Sequence, residues 1–188
     1  MLLTLPNLLT LSRILIVPVL VALLFYRGPE ASWAALAVFL LASVTDWADG
    51  YFARQYKAVT PLGRFLDPIA DKFLVAAVMI MLVASDRVTG LPVAAVLLIL
   101  CRELLVSGLR EYLAELRVGM PVSQLAKWKT TTQMIALSVL IVGDAGPAWA
   151  HLQLIGEVVL WIALALTLIT GWDYMKRGLQ HMMAQPEQ

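Results

Sequence analysis

The chain is poor in charged residues and nearly devoid of cysteine. Only 14% of its 188 residues are charged, and the net charge is +1. A chain this close to neutral lacks the broad positive field that draws proteins to nucleic acid, so we expect no nucleic-acid partner. Its single cysteine, Cys101, excludes a disulfide bond within the chain. Internal repeats, low-complexity tracts and long linkers are also missing, which favours a single domain over residues 1–188.

Apolar residues are abundant instead. They make up 61% of the sequence, against about half in soluble domains, and the mean hydropathy is +0.82. A membrane-spanning helix needs about 20 mostly apolar residues, and six segments reach or approach that length. They cover approximately residues 8–26, 32 to beyond 49, 62–84, 91–113, 126–143 and 149–174. The sequence therefore predicts an all-α integral membrane protein with six transmembrane helices.

The N-terminal segment differs from a secretory signal peptide. Its first positive residue is Arg13, so the basic region that precedes the apolar part of a signal is lacking. We therefore expect this segment to be retained. The Pro6-Asn7 pair predicts a short interfacial segment that leads into the first span.

The distribution of lysine and arginine predicts the orientation in the membrane. Twelve of these residues fall on one predicted side, and only Arg27 and Arg87 fall on the other. The twelve are Arg13, Arg54, Lys57, Arg64, Lys72, Arg102, Arg110, Arg117, Lys127, Lys129, Lys176 and Arg177. Because basic residues favour the cytoplasmic side, we expect both termini in the cytoplasm and the active site at the cytoplasmic end.

Four aspartates lie at the ends of two apolar segments. Asp46 and Asp49 are near the end of the second segment, and Asp67 and Asp71 are near the start of the third. An ionised carboxylate inside a bilayer costs about 2.5–3.5 kcal/mol, so four in one short stretch need a partner. In helices, spacings of three and four residues place each pair on one face. Because the connection between the segments is short, the two faces can converge.

A divalent metal is the partner that this segment favours. Mg²⁺ and Mn²⁺ prefer oxygen ligands, whereas zinc usually brings histidine or cysteine, and neither occurs in this segment. Four carboxylates suit two ions about 3.5–4 Å apart, which clamp the attacking and leaving oxygens of a phosphoryl group. Gly50, Ala53 and Gly63 leave room beside the aspartates, and Arg54 adds a bidentate phosphate donor.

A simpler interpretation treats the aspartates as interfacial charges. They would then pair with Arg54, Lys57, Arg64 and Lys72, and the glycines would serve helix packing. A single aspartate–arginine pair would favour that interpretation. Four aspartates at matched helical spacing, together with small residues on the same faces, favour a ligand-binding site instead.

The pattern Asp-x-x-Asp-Gly-x-x-Ala-Arg, eight further residues and Gly-x-x-x-Asp-x-x-x-Asp resembles the signature of the CDP-alcohol phosphotransferase family. Every fixed position from Asp46 to Asp71 is filled with unchanged spacing, and the layout of six segments is similar along the whole chain. The resemblance implies a six-helix membrane enzyme, usually a homodimer, in which an alcohol displaces CMP from a CDP-linked lipid. It also implies a multi-pass protein of the bacterial plasma (inner) membrane.

The resemblance further implies roles for individual residues. The metal ligands would be Asp46, Asp49, Asp67 and Asp71, with Asp71 also the general base. The CDP-binding residues would be Asp49, Gly50, Ala53, Arg54, Thr60 and Gly63.

The acceptor alcohol has to be inferred from basic residues elsewhere. Arg102 and Arg110 are eight residues apart, so they share a helix face, and Lys127 and Lys129 begin the fifth helix. A basic cluster beside the aspartates suits an anionic acceptor, although positive-inside charge and contact with lipid headgroups would also explain it. The sequences of residues 6–13, 102–110 and 127–133 resemble the branch of the family that uses CDP-diacylglycerol and sn-glycerol 3-phosphate. By that resemblance, the acceptor phosphate would be bound by Asn7, Thr10, Arg13, Arg102, Arg110, Lys127 and Lys129.

Two alternatives remain open at the level of the sequence. The first is an enzyme of the same family with inositol phosphate or serine as its acceptor. Serine is a zwitterion, for which four basic residues are excessive. The second is a small cation transporter, which would place carboxylates through the depth of the membrane or around a pore. The aspartates cluster at one end instead, and the middles of helices one, five and six are apolar.

Overall fold

The computed structural model describes residues 5–26, 28–56, 61–116 and 123–183. Within these ranges it describes all side chains except those of residues 5–10, 46–56, 61–65, 67–68, 71, 115, 148 and 181–183. The described chain is helical and has no strand. Its α-helices are α1 (Leu5–Phe25), α2 (Pro29–Tyr56), α3 (Pro61–Ala84), α4 (Pro92–Glu115), α5 (Gln124–Val142) and α6 (Leu152–Met183). Two short 3₁₀ helices, Gly143–Ala145 and Ala148–Ala150, connect α5 to α6.

Proline and capping residues set several of the helix ends. Proline is the first residue of α2, α3 and α4, where the backbone N–H that it lacks would have no partner within the helix. Ser123 caps α5, because its hydroxyl accepts a hydrogen bond from the backbone N–H of Ala126 at 3.2 Å. The helix ends at Gly143, whose φ of 46° lies in the left-handed region that favours glycine.

Each of the predicted apolar segments corresponds to one α-helix of the described chain, so their order along the sequence is confirmed. The first helix starts earlier than the predicted first span. Helix α1 begins at Leu5 and includes Pro6 and Asn7, whereas the span was predicted from about residue 8. Proline is tolerated there because the first turn of a helix has unpaired N–H groups. The interfacial position of Pro6 and Asn7 stays a prediction. Helix α6 runs on to Met183, beyond the end predicted near residue 174.

The helices form two packed groups that share one core. Helix α1 packs against α2 and α3, while α4 and α5 pack against α6. Contacts of α2 with α5 and of α3 with α4 join the groups. The buried core includes Leu20, Phe39, Val78, Ile99, Leu140 and Leu160, one from each helix.

Close contacts of glycines in α6 define the helix directions. Gly156 packs against Leu140, so the start of α6 lies beside the end of α5. Gly171 and Gly178 pack in the same order against Arg102 and Leu109, so α4 and α6 are parallel. A cavity joins the start of α2 and the end of α3 to the end of α5 and the start of α6. The ends of α2, α4 and α6 therefore lie at the other end of the bundle, together with the starts of α3 and α5. We call this the aspartate end, because it carries residues 46–56 of α2 and 61–71 of α3.

Hydrogen bonds fix the opposite end of the bundle. The Arg87 guanidinium donates to the backbone carbonyl of Ile141 at the end of α5. The side-chain amide of Gln153 donates to the carbonyl of Arg87 at 2.5 Å and to Glu157 Oε1 at 2.8 Å. The connection between α3 and α4 is thereby attached to both α5 and α6.

Apolar side chains cover much of the outer surface. In the described chain, Pro92–Ala114 and Leu152–Gln180 are long and apolar enough to cross a membrane, and shorter apolar stretches occur in α1, α2 and α3. Leu97, Leu104, Leu154 and Ile162 are about half exposed or more. Soluble monomers rarely expose large contiguous apolar patches, so these faces are consistent with a membrane protein.

Candidate functional site

The backbone places all four aspartates at one end of the bundle. Asp46 and Asp49 lie in the last part of α2, and Asp67 and Asp71 lie in the first part of α3. Both helices are continuous through these positions, so each pair is separated by about one turn. The side chains of the four lie outside the described part of the structure. Their donor chemistry fits hard divalent ions such as Mg²⁺ or Mn²⁺, which take carboxylate oxygens.

Several other predicted site residues also lie outside the described part. Gly50, Ala53 and Arg54 fall in α2 and Gly63 falls in α3, but their side chains or surroundings are not described. The same is true of the side chains of Asn7 and Thr10 in α1, and of Thr60 altogether. Among the side chains that are described, no group of three or more His, Cys, Asp or Glu residues is arranged to bind a metal.

A cavity of about 400 Å³ opens at the aspartate end. Its walls come from α3, α4, α5 and α6. Its charged lining residues in the described chain are Lys72, Arg102, Arg110 and Lys129, with Glu103 and Glu111. Ser107, Thr130 and Tyr174 add hydroxyl groups. Cations therefore outnumber carboxylates in this lining by four to two.

Glu103 organises two of the cations. Its Oε1 accepts a hydrogen bond from Arg102 Nη1 at 2.9 Å and another from the Lys129 ammonium. The Arg102 and Lys129 side chains are largely buried, with exposed fractions of 11% and 8%. Buried charges are stable only when they are paired, so Glu103 keeps both cations at the wall of the cavity.

Arg102 is also fixed from α6. Its Nη2 donates to Thr170 Oγ1 at 2.9 Å. A Cβ built onto Gly171 would lie 2.9 Å from Arg102 Nε and 3.0 Å from its Cγ. Glycine at position 171 is therefore required for the arginine to lie against the α6 backbone. The Nε itself is buried and has no hydrogen-bond partner among the described residues.

The structure brings some of the predicted acceptor residues together and separates others. Arg102, Arg110 and Lys129 line the same cavity. Lys127 is exposed on α5 and is not among the described lining residues. Arg13 is almost fully buried in α1, at 2% exposure, and α1 packs against α2 and α3, the two helices that carry the aspartates.

Several lining residues were not predicted as part of a site. The sequence indicates Lys72 only as a charge of the cytoplasmic side and gives no signal for Ser107 by itself. The α4 residues of the lining could have been found from their spacing. Residues 103, 107, 110, 111 and 114 lie on one helical face, and all of them line the cavity. Thr170 and Gly171 could not be found in this way, because their role depends on how α6 packs against α4.

An all-helical chain with exposed apolar faces, four helical aspartates and a basic cavity at the same end has the features of a membrane enzyme that handles phosphate esters. The chain belongs to the CDP-alcohol phosphatidyltransferase family, whose model matches residues 3–169. The chain is 51% identical over 172 residues to a CDP-diacylglycerol–glycerol-3-phosphate 3-phosphatidyltransferase of Rickettsia typhi, covering 92% of this chain and 95% of that protein. A protein with the same description from Cereibacter sphaeroides is 36% identical, covering 95% and 97%. A cardiolipin synthase (CMP-forming) from Oryza sativa subsp. japonica is 38% identical, covering 94% of this chain and 57% of that protein.

Proposed function

We propose that this protein transfers the phosphatidyl group of CDP-diacylglycerol to sn-glycerol 3-phosphate, producing phosphatidylglycerophosphate and CMP for phospholipid biosynthesis. The observation that carries the proposal is the basic cavity at the aspartate end. The relatives from Rickettsia typhi and Cereibacter sphaeroides support it, because their descriptions name this donor and this acceptor and they match this chain over nearly its whole length.

The charge of the cavity favours a phosphorylated acceptor. Four cations and two carboxylates leave the described lining with a formal charge of +2. A phosphate monoester carries a charge of about −1.5 to −2 near neutral pH, so glycerol 3-phosphate would neutralise this excess. Serine, which is a zwitterion, and inositol, which is uncharged, would leave it uncompensated. Inositol phosphate would also match the charge and has to be tested directly.

The chemistry is a direct displacement at phosphorus. The acceptor hydroxyl forms a bond to the phosphorus of the lipid-linked phosphate, the bond from that phosphorus to CMP breaks, and the proton of the hydroxyl passes to Asp71. Divalent ions bound by Asp46, Asp49, Asp67 and Asp71 would neutralise the diphosphate and stabilise the departing CMP. Gly50, Ala53, Arg54, Thr60 and Gly63 would bind the CDP moiety. Arg102, Arg110 and Lys129 would hold the acceptor phosphate.

We also propose that helices α1 to α6 cross a bacterial inner membrane and that both termini are cytoplasmic. Four of the five exposed tryptophans in the described chain support this placement, since tryptophan is enriched at both membrane surfaces. Trp128 and Trp172 lie at the aspartate end, and Trp33 and Trp149 lie at the opposite end. The fifth, Trp161, lies about midway between Leu152 and Trp172 on α6. From Leu152 to Trp172, α6 rises about 30 Å, which matches the thickness of the hydrocarbon core at about 30 Å. The proposed assembly is a homodimer, as the family resemblance implies.

The test is CMP release by the purified protein with CDP-diacylglycerol and Mg²⁺ or Mn²⁺. The acceptors to compare are glycerol 3-phosphate, inositol phosphate, inositol, serine and phosphatidylglycerol. We expect turnover with glycerol 3-phosphate alone. Turnover with a different acceptor would agree with the chemistry proposed for the aspartates and would refute glycerol 3-phosphate as the acceptor. If the folded protein releases no CMP with any acceptor, the proposed enzymatic function is contradicted. The alternative, a cation transporter, would then be tested by ion flux.

Replacement of Gly171 with alanine should weaken acceptor binding. The added Cβ would displace the Arg102 side chain and break its hydrogen bond to Thr170. The displaced guanidinium would lose one charge-assisted hydrogen bond to the acceptor phosphate. This predicts an increase of about tenfold in the KM for glycerol 3-phosphate, with the KM for CDP-diacylglycerol unchanged. Gly108→Ala is the matched control, because a Cβ at Gly108 meets no atom within 4 Å. Equal acceptor KM values for the two variants would contradict the role of Gly171.

A further inference from the structure

Lys72 connects the helix that carries two of the aspartates to the basic cavity. It lies on α3, and its ammonium donates a hydrogen bond to Ser107 Oγ on α4. Both residues line the cavity, and Lys72 is the residue by which α3 contributes to the described lining. The remaining described lining residues belong to α4, α5 and α6.

The position of Lys72 in α3 places the cavity next to Asp71. The two residues are consecutive, and consecutive residues of an α-helix are rotated by about 100°. The face of α3 that carries Lys72 therefore adjoins the face that carries Asp67 and Asp71. On the proposed function, the cavity therefore lies next to the backbone position of the general base.

A structural link between α3 and α4 does not by itself explain a lysine at this position. Two uncharged side chains could form the same hydrogen bond. Lys72 instead adds a positive charge to a cavity whose lining already contains Arg102, Arg110 and Lys129. Glu103 and Glu111 offset only two of these four charges, and the remaining excess is unfavourable unless a further anion offsets it. Ser107 prevents the ammonium from turning away, because its hydroxyl accepts the hydrogen bond that holds it at the wall.

We propose that Lys72 is a further acceptor-binding residue, whose ammonium contacts the phosphate of the acceptor and directs its hydroxyl group towards Asp71. This inference rests on the proposed function and refines the acceptor site with a residue on α3. Ser107 acts through Lys72 as a positioning residue.

The test compares Lys72→Gln with the wild-type protein in the CMP-release assay. We expect the KM for glycerol 3-phosphate to rise about tenfold or more, as for the loss of one charge-assisted hydrogen bond, while the KM for CDP-diacylglycerol changes less than about twofold. Lys176→Gln is the matched control, because Lys176 is exposed near the end of α6 and is not among the described lining residues. An unchanged acceptor KM in Lys72→Gln, or an equal rise for both substrates, would overturn the proposal.

Two further variants separate binding from folding. Lys72→Arg keeps the charge and should bring the acceptor KM back to within about threefold of wild type. If the role of Lys72 were purely structural, restoring the charge would not restore the KM. If Lys72→Gln does not fold, the acceptor KM of Ser107→Ala tests the proposal in its place. This variant leaves every charge in place and should raise the acceptor KM at least twofold, and no rise would refute the role of Lys72.

Direct binding distinguishes a failure of this inference from a failure of the proposed function. Calorimetric titration with glycerol 3-phosphate in the absence of CDP-diacylglycerol does not depend on turnover. Weaker binding by Lys72→Gln than by wild type supports the inference even if the wild-type protein releases no CMP. Equal binding by both proteins, or no binding by the wild-type protein, refutes it.

Discussion

Replacement of Asp71 with asparagine is expected to abolish CMP release while the protein remains folded. Asparagine has nearly the same shape, but it can neither accept the proton of the acceptor hydroxyl nor bring a negative charge to a divalent ion. Loss of a general base alone lowers a rate by about 10²- to 10⁴-fold, and loss of a metal ligand would add to this. The measurement is kcat with both substrates saturating, together with the thermal unfolding of the protein in detergent.

Asp144→Asn supplies the matched control for this variant. It makes the same chemical change at an exposed residue at the opposite end of the bundle, so its kcat should equal that of wild type. Near-wild-type turnover by Asp71→Asn would refute the roles proposed for Asp71. Loss of turnover together with loss of the unfolding transition would show a requirement of Asp71 for folding and would also contradict the prediction.

Replacement of Arg102 with methionine is expected to have the next largest effect. The change removes a cation from the cavity and both of its hydrogen bonds, to Glu103 and to Thr170. On the proposed function, the guanidinium also holds the acceptor phosphate. Charge-assisted hydrogen bonds contribute about 1.5–3 kcal/mol each, so loss of a bidentate contact with that phosphate should raise the KM for glycerol 3-phosphate about 100-fold or more. The midpoint of thermal unfolding should also fall, because the arginine joins α4 to α6.

Two variants test whether charge alone explains this result. Arg102→Lys restores the charge but cannot reproduce the planar fork that reaches Glu103 and Thr170 together, so its acceptor KM should be intermediate. Arg177→Met removes an exposed cation near the end of α6 and should leave both KM values unchanged. Wild-type kinetics for Arg102→Lys would show that the two hydrogen bonds do not matter for acceptor binding.

The helices could be predicted because their physical causes are local. Apolar length marks each helix, and Pro29, Pro61 and Pro92 mark three of the starts. Helix α1 begins at Leu5, a few residues before the predicted first span, because a helix tolerates proline in its first turn. Whether these helices all span the membrane stays a prediction.

The relative placement of the residues that line the cavity could be predicted only where they repeat along one helix. The spacing of Arg102 and Arg110 was sufficient to place them on one face, and both line the cavity. The difference between Lys127 and Lys129 was not visible, because the two are separated by only two residues and the packing of α5 alone decides which one is buried. Contacts between helices that are distant in sequence, such as Lys72 with Ser107 and Arg102 with Thr170, depend on the relative rotation of the helices, which no local pattern encodes.

The cavity extends from Lys72 and Arg102, near the middle of α3 and α4, to the aspartate end, where Trp128 and Trp172 lie. On the proposed function, this position divides the reaction between two phases. Glycerol 3-phosphate and CMP diffuse in the water, whereas the lipid donor and the lipid product stay in the plane of the bilayer. The donor concentration that governs the rate is therefore its mole fraction among the surrounding lipids. Dilution of the donor with inert lipid would slow the enzyme even when the amount of donor per volume of solution is constant.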